Sequence, residues 1–180
     1  MSDPFTLLGL PPRFDLDLAA AEVRHRELSR SLHPDRHAGK PASERRQALS
    51  LAIEVNDALR VLKDPVHRAE ALLARSGVPP AEEGQEPPAA PDFLMDVLEL
   101  REELSAAQRA SDLSKVESVA KQVEARQAAV ERDLGQAFAG LAAQSGLPPL
   151  DAERIAKKLG ELRYFRRLLA EARAIEDDIG

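Results

Sequence analysis

A proline-rich stretch near the middle of the chain limits its fold more than any other feature. The segment from Gly77 to Asp92 reads GVPPAEEGQEPPAAPD, with five prolines, two glycines and no hydrophobic periodicity. Proline lacks the N–H that a helix interior needs and biases the residue before it away from the helical conformation. We therefore predict two domains, residues 1–76 and 92–180, joined by a linker at residues 77–91.

Hydrophobic periodicity predicts helices in the first domain. A short apolar turn and three helices are expected at about residues 5–10, 16–32, 43–63 and 65–77. The two longer helices each carry an apolar stripe at spacings of three and four residues: Leu18, Ala21, His25, Leu28 and Leu32 on one, and Ala48, Ala52, Val55, Leu59 and Leu62 on the other. They are joined by a short polar loop through Gly39 and Pro41, so we expect them to pack antiparallel. Asp64-Pro65 is a typical helix start, with an N-cap followed by proline at the first helical position.

The second domain is predicted to be an antiparallel three-helix bundle. Its helices are expected at about 92–110, 112–144 and 151–177, with Asp92 as the first N-cap. Their core-facing positions are Phe93, Val97, Leu100 and Leu104; Val116, Val119, Val123, Val130, Leu134, Ala137 and Leu141; and Ile155, Leu159, Leu162, Phe165, Leu169 and Ala172. Aromatics are only 3 % of the chain and Trp is absent, so the core must be aliphatic. The predicted fold class is all-α.

Composition excludes several kinds of chemistry and predicts a cytoplasmic protein. The chain has no Cys, which excludes disulfides, a thiol nucleophile and thiolate ligation of a metal or cluster. The N-terminal residues lack a signal-peptide pattern, and no apolar run approaches the ~20 residues of a membrane span. The net charge of −6 gives no basic surface large enough for nucleic acid. We expect no membrane, nucleic-acid or cofactor partner.

The tripeptide His33-Pro34-Asp35 lies between the two predicted antiparallel helices. Arg26 and Arg30 share the outer face of the helix before it, and the loop after it carries the cations Arg36 and Lys40. Taken alone, the tripeptide fits a simple helix-ending turn equally well. In this context, followed by Asn56 and by Leu62-Lys63-Asp64-Pro65, it resembles the J domain of DnaJ-type co-chaperones.

Further sequence blocks resemble the HscB family, the J-domain co-chaperones of iron–sulfur cluster assembly. They follow the family's order and cover nearly the whole chain: Phe5-Thr6-Leu7-Leu8-Gly9-Leu10-Pro11, Arg68-Ala69-Glu70-Ala71-Leu72-Leu73, residues 93–104 (FLMDVLELREEL) and Leu162-Arg163-Tyr164-Phe165. The chain lacks the cysteine-bearing N-terminal extension of some eukaryotic relatives, so we expect the bacterial form. It departs from the family pattern at His25, Ala71 and Ala106.

The resemblance implies a non-enzymatic co-chaperone that stimulates the ATPase of HscA, a DnaK-like chaperone. The chaperone-binding residues would be His33, Pro34, Asp35, Arg26, Arg30, Arg36 and Lys40. Pro34 fixes φ and stiffens the turn, which lowers the entropy lost on docking. The Asp35 carboxylate can pair with an arginine on the ATPase, and the cations can attract an acidic chaperone surface.

The helix that follows the linker carries apolar residues on two faces. One stripe, from Phe93 to Leu104, suffices for packing, yet Leu94, Met95 and Leu98 lie opposite it with Glu99 and Glu102 beside them. A helix of this kind is either fully buried or presents one face to a partner. Tyr164 is predicted to point away from the core stripe of its helix, and such a patch suits a protein interface. The resemblance implies the cluster scaffold IscU as the client, contacted by Leu94, Met95, Leu98, Glu99, Glu102 and Tyr164.

Four alternatives to these predictions follow from the same residues. The Leu94, Met95 and Leu98 patch could pack against the first domain instead of a client. The Val116–Leu141 heptads could form a dimeric coiled coil, although a bundle core explains them more simply, and we expect a monomer. His33, Asp35 and His37 could form a metal site, and hence the centre of a hydrolase, but no further ligands lie near them in the sequence, so none is predicted. A general DnaJ-like protein with other clients usually has a Gly-rich segment or zinc-binding cysteines, and this chain has neither.

Overall fold

A computed structural model describes residues 2–78, 89–141 and 148–179 of the chain. Every regular element in these ranges is a helix, which confirms the predicted all-α fold. The helices are α1 (Pro4–Leu8), α2 (Leu18–Ser31), α3 (Pro34–His37), α4 (Ala42–Lys63), α5 (Pro65–Arg75), α6 (Pro91–Arg109), α7 (Leu113–Leu141) and α8 (Pro149–Ile179). None of them, within these ranges, is long and apolar enough to cross a membrane.

The helices belong to two compact units. The first unit comprises Met1–Pro80 and holds α1 to α5; the second comprises Ala81–Gly180 and holds α6 to α8. The division falls inside the stretch where the sequence predicts a linker. Residues 79–88 of that stretch lie outside the described residues, so the linker itself stays a prediction.

Helix α4 is the centre of the first unit, because α1, α2, α3 and α5 all contact it. Two polar contacts show that α2 and α4 run antiparallel. Lys63 Nζ lies 2.6 Å from Glu22 Oε1, and His25 Nε2 lies 2.7 Å from Asn56 Oδ1. The apolar side chains between these helices and their neighbours form an aliphatic core with two aromatic rings, comprising Phe5, Leu8, Phe14, Ala21, Ala48, Val55, Ala58, Leu62, Val66, Ala69, Leu72 and Leu73.

The junction between α4 and α5 carries a buried cation that the sequence does not predict. Asp64 caps α5 as predicted, because its Oδ1 accepts hydrogen bonds from the backbone N–H groups of Val66 and His67. One turn later, the buried Arg68 donates from Nη1 to the carbonyl oxygen of Leu62 at 2.7 Å. Its guanidinium also lies 4.9 Å from the centre of the Phe14 ring. Arg68 therefore satisfies a carbonyl at the end of α4 and packs on the segment between α1 and α2.

Most helix starts differ from the predicted ones by one or two residues, and those of α2 and α6 can be traced to their N-caps. Helix α2 begins at Leu18, because Asp17 accepts a hydrogen bond from the N–H of Ala20 and so acts as the N-cap. Helix α6 begins at Pro91 with Ala90 as its N-cap, so the predicted capping role of Asp92 is wrong. Proline is favoured at a first helical position because its missing N–H has no partner there anyway.

In the second unit, α7 runs antiparallel to α8, and α6 runs parallel to α8. Lys158, nine residues after the start of α8, pairs with Asp133, eight residues before the end of α7, so the two helices fold back on each other. Helices α6 and α8 meet at Phe93 with Tyr164 and, further along both helices, at Arg101 with Glu171. The core comprises Val97, Leu100, Leu104, Ala107, Val116, Val119, Val123, Val130, Leu134, Ile155, Leu159, Leu162, Phe165, Leu168, Ala172 and Ile175. Leu168 is buried and Leu169 only half-buried, so the predicted core position of Leu169 is wrong by one residue.

Candidate functional site

The His33-Pro34-Asp35 tripeptide forms an exposed corner between α2 and α3. The His33 side chain is 59 % exposed and that of Asp35 is 90 % exposed. His33 is the N-cap of α3, and its Nδ1 accepts a hydrogen bond from the backbone N–H of Asp35 at 3.3 Å. An accepting Nδ1 means that the proton of the neutral ring is on Nε2. His33 can therefore donate from Nε2 while Asp35 presents an accepting carboxylate.

The four predicted cations near this corner are all exposed, but they are not equivalent. Arg26 lies 3.7 Å from Glu22 on its own helix, and Lys40 lies 3.5 Å from Glu44. No ion pair is found for Arg30 or Arg36 in the part of the chain that the structure describes. Of the four predicted cations, Arg30 and Arg36 are thus the two whose charge is not offset by a carboxylate among the described residues.

Sequence reasoning missed two further cations beside the corner. Arg45 and Arg46 are exposed in the first two turns of α4, the helix that α3 contacts. The adjacent arginines were a visible signal, but a basic pair at a helix start is usually only a solvated face. They come ten and eleven residues after Asp35 in the chain, on the helix that packs against α3.

Glu22 lies on α2, and the pKa of its carboxyl is lowered. A hydrogen bond and ion pair with Lys63 hold the pKa of its carboxyl below the ordinary value of 4.5, with a smaller contribution from Arg26. A carboxyl whose pKa falls on folding stabilises the native state above its unfolded-state pKa, and that stabilisation is lost as the pH falls through the lowered value. The contact between α2 and α4 should therefore weaken only in acid.

We expect Lys63→Gln to raise the pKa of Glu22 towards 4.5, because the main cause of its depression is removed. The measurement is an NMR titration of the Glu22 side-chain carboxyl carbon. Arg26→Gln is the matched control and should move the titration midpoint less. An equal shift in both variants would contradict the dominant role of Lys63.

The second candidate surface is the outer face of α6. Leu94, Met95 and Leu98 are 37 %, 58 % and 54 % exposed, while Val97 and Leu100 on the opposite face are buried. The predicted two-sided helix is thus present, with one face packed and the other open to solvent. Glu99 and Glu102 are exposed beside the apolar residues. An apolar patch bordered by carboxylates fits a protein partner whose own apolar contact is bordered by cations.

Tyr164 is half-buried rather than exposed, and it connects α8 to α6. Its ring meets Phe93 edge-on with the centres 5.7 Å apart, and Phe93 also meets Phe165 at 5.4 Å. The Arg167 guanidinium lies 4.6 Å from the centre of the Tyr164 ring. The sequence analysis did not predict a role for Arg167. Its position three residues after Tyr164 nevertheless allows the two side chains to meet on one helix face. An aromatic and cationic cluster therefore lies beside the start of α6.

The three departures from the family pattern occupy different environments. His25 connects α2 to α4, because its Nε2 lies 2.7 Å from Asn56 Oδ1. Ala71 lines an open groove of about 600 Å³ between α1, α4 and α5. Ala106 is exposed on α6. Of these three residues, only His25 makes a side-chain hydrogen bond.

The possible metal ligands His33, Asp35 and His37 do not form a three-ligand group. His37 Nε2 lies 3.1 Å from the carbonyl oxygen of Ser31, while the His33 ring caps α3. In residues 2–78, 89–141 and 148–179, no three His, Asp or Glu side chains are placed to hold a metal ion.

Comparison with known proteins identifies the family. Residues 89–173 match the family described as the HSCB C-terminal oligomerisation domain. The co-chaperone protein HscB of Proteus mirabilis is 44 % identical over 110 residues, which cover 61 % of this chain and 63 % of that protein. The chain therefore spans somewhat less than two thirds of this relative. An HscB homolog of Neisseria meningitidis is 37 % identical over 139 residues, covering 77 % of this chain and 83 % of the relative.

Solved structures agree with the sequence relatives. The chaperone HscB from Vibrio cholerae matches with a TM-score of 0.82 at 29 % identity, covering 99 % of this chain and 100 % of that one. Human co-chaperone HscB matches with a TM-score of 0.82 at 24 % identity, covering 97 % and 82 %, and supports the fold. With the helical hairpin, the exposed tripeptide and the bundle already described, these matches show that the chain belongs to the HscB co-chaperone family.

Proposed function

We propose that this chain stimulates the ATPase of an HscA- or DnaK-type chaperone and delivers the iron–sulfur scaffold IscU to it, thereby promoting iron–sulfur cluster assembly and transfer. The observation that carries the proposal is the exposed Asp35 carboxylate beside a capping His33, in a chain of the HscB family. We place this activity in the cytoplasm and expect a monomer. The apolar heptad positions of α7 support that expectation, because from Val116 to Leu134 they are buried.

Stimulation requires no bond chemistry from this chain. A co-chaperone that contacts the ATP-bound state of its partner more favourably than the other states shifts the partner towards the conformation that hydrolyses ATP. Asp35 would accept from an arginine of the ATPase, and His33 Nε2 would donate to an acceptor there. Arg30 and Arg36, for which the described residues provide no ion pair, would speed the encounter with an acidic chaperone surface.

Client delivery would use the α6 patch. Leu94, Met95 and Leu98 would supply the apolar contact, and Glu99, Glu102 and Tyr164 would border it. The two proposed surfaces lie in different compact units of one chain. Covalent linkage keeps a client bound to one unit at a high effective concentration near a chaperone bound to the other, without any new contact. Delivery therefore requires only that the two binding surfaces belong to one chain and can be occupied at the same time.

A pull-down from lysate tests the proposal as a whole. Immobilised wild-type protein should retain both a DnaK-class ATPase, in the presence of ATP, and the cluster scaffold. The Asp35→Asn variant should retain the scaffold and lose the ATPase. Capture of a varied set of unfolded proteins in place of the scaffold would indicate a general DnaJ-like co-chaperone. Absence of any DnaK-class ATPase from the wild-type sample would contradict the proposal.

A further inference from the structure

The last carbonyl groups of α2 lack the backbone donors that a continuing helix would provide. In an α-helix, each carbonyl accepts from the N–H of the fourth residue onward. For Arg30 that residue is Pro34, which has no N–H. For Ser31 it is Asp35, whose N–H donates to the His33 ring instead, at 3.3 Å. The Ser31 carbonyl therefore needs a donor from elsewhere.

His37 supplies that donor from six residues away. Its Nε2 lies 3.1 Å from the Ser31 carbonyl oxygen, and because a carbonyl only accepts, the hydrogen must be on Nε2. The other ring nitrogen, Nδ1, is buried and has no hydrogen-bond partner among the described residues. The neutral His37 ring is therefore the tautomer that carries its proton on Nε2, with Nε2 facing the Ser31 carbonyl and the unprotonated Nδ1 facing the interior. The His37 ring is thus fixed against the end of α2.

We propose that His37 is a positioning residue, which closes the segment from Ser31 to His37 and so holds the His33-Pro34-Asp35 corner in one conformation. Two histidine rings make hydrogen bonds to the backbone of this segment, one as an acceptor and the other as a donor. His33 accepts from the N–H of Asp35, and His37 donates to the carbonyl of Ser31. The role in docking rests on the proposed function, whereas the closure of the corner does not.

Closure of the corner matters because few other contacts fix the position of the Asp35 side chain. The Asp35 side chain is 90 % exposed. His33 Nδ1 lies 3.5 Å from its Oδ2 but accepts from the Asp35 N–H, so it has no proton to donate to the carboxylate. An exposed corner of this kind loses conformational entropy when it binds, unless it is ordered beforehand. Ordering by His37 should therefore lower the concentration at which the chain acts, without changing the ATPase rate once the chaperone is saturated.

The test compares His37→Met with His37→Gln in the full chain. Both replacements have nearly the same length, but only glutamine carries an N–H donor that can reach the Ser31 carbonyl. With a purified HscA-type ATPase, His37→Met should raise the half-maximal concentration about fivefold and leave maximal stimulation unchanged. His37→Gln should stay near the wild-type value. Amide hydrogen exchange at Asp35 and Arg36 should accelerate in the methionine variant alone, with the melting temperatures of all three proteins similar.

Each result separates the positioning role from the proposed function. If wild-type protein does not accelerate ATP hydrolysis, the proposed function fails, and amide exchange alone then decides whether His37 closes the corner. Exchange rates in His37→Met equal to those of wild type would overturn the inference. Faster exchange with an unchanged half-maximal concentration would show that the hydrogen bond exists but does not prepare the corner for docking, which also overturns the positioning role.

Discussion

Replacing Asp35 with Asn is expected to reduce the ATPase of the partner chaperone to its basal rate. The substitution keeps the size of the side chain and removes its charge, so an arginine buried against it on docking would lose its counterion. Removing one partner of a buried, hydrogen-bonded charge pair costs about 2–5 kcal/mol, which weakens binding by roughly 30-fold to several thousandfold. Steady-state ATP hydrolysis measured against co-chaperone concentration would show the loss.

The fold should be unaffected by this substitution. The Asp35 side chain is 90 % exposed, and exposed substitutions usually change stability by less than about 0.5 kcal/mol. Asp15→Asn makes the same chemical change at another exposed aspartate and should stimulate hydrolysis as wild type does. Scaffold binding should survive in both variants. Normal acceleration of hydrolysis by Asp35→Asn would remove the basis for the proposed docking corner.

Replacing Met95 and Leu98 together with Ala is expected to weaken scaffold binding about 50-fold. Both side chains are more than half exposed in the free protein, and burial of one such side chain contributes about 1.5–3 kcal/mol. Only part of this is lost on truncation to alanine, so the two substitutions together should cost somewhat more than 2 kcal/mol. Calorimetric titration with purified IscU gives the dissociation constant directly.

A double substitution elsewhere on the bundle provides the control. Leu113 and Leu150 are also exposed leucines, at the starts of α7 and α8, and lie outside the proposed patch. Leu113→Ala with Leu150→Ala should leave the dissociation constant unchanged, and neither pair should alter the melting temperature strongly. An unchanged constant for the Met95 and Leu98 pair would show that the patch does not meet the scaffold, and would favour packing against the first unit.

Helices and caps followed from the sequence wherever local signals were sufficient. The spacing of apolar residues predicts the long helices, and Asp64-Pro65 predicts the start of α5, because both depend on residues close in the chain. The one-turn helix α3 was expected to be loop. It forms because the His33 side chain caps it and Pro34 occupies its first position, a combination that ordinary capping preferences do not include.

Tertiary contacts explain most of the features that the sequence could not predict. Leu168 and Leu169 are the same residue type, so periodicity alone could not decide which faces the core of a 31-residue helix. Arg68 reads as a surface cation until the Phe14 ring and the Leu62 carbonyl are placed beside it. Tyr164 was expected on an open face, but Phe93 and Arg167 cover part of its ring. The exposure of Leu94, Met95 and Leu98 was predicted correctly, because the stripe from Phe93 to Leu104 is enough to pack α6 into the bundle.

The separation of the two surfaces into two compact units has a genetic consequence. An allele that damages only the Asp35 corner would still make a protein that binds the client. In a cell that also expresses the intact protein, the defective copies would compete for the client and hold it away from the chaperone. Such an allele would be dominant, whereas an allele that unfolds the whole chain would be recessive. The severity of a mutation would then depend on which unit it leaves intact rather than on how much of the protein it destroys.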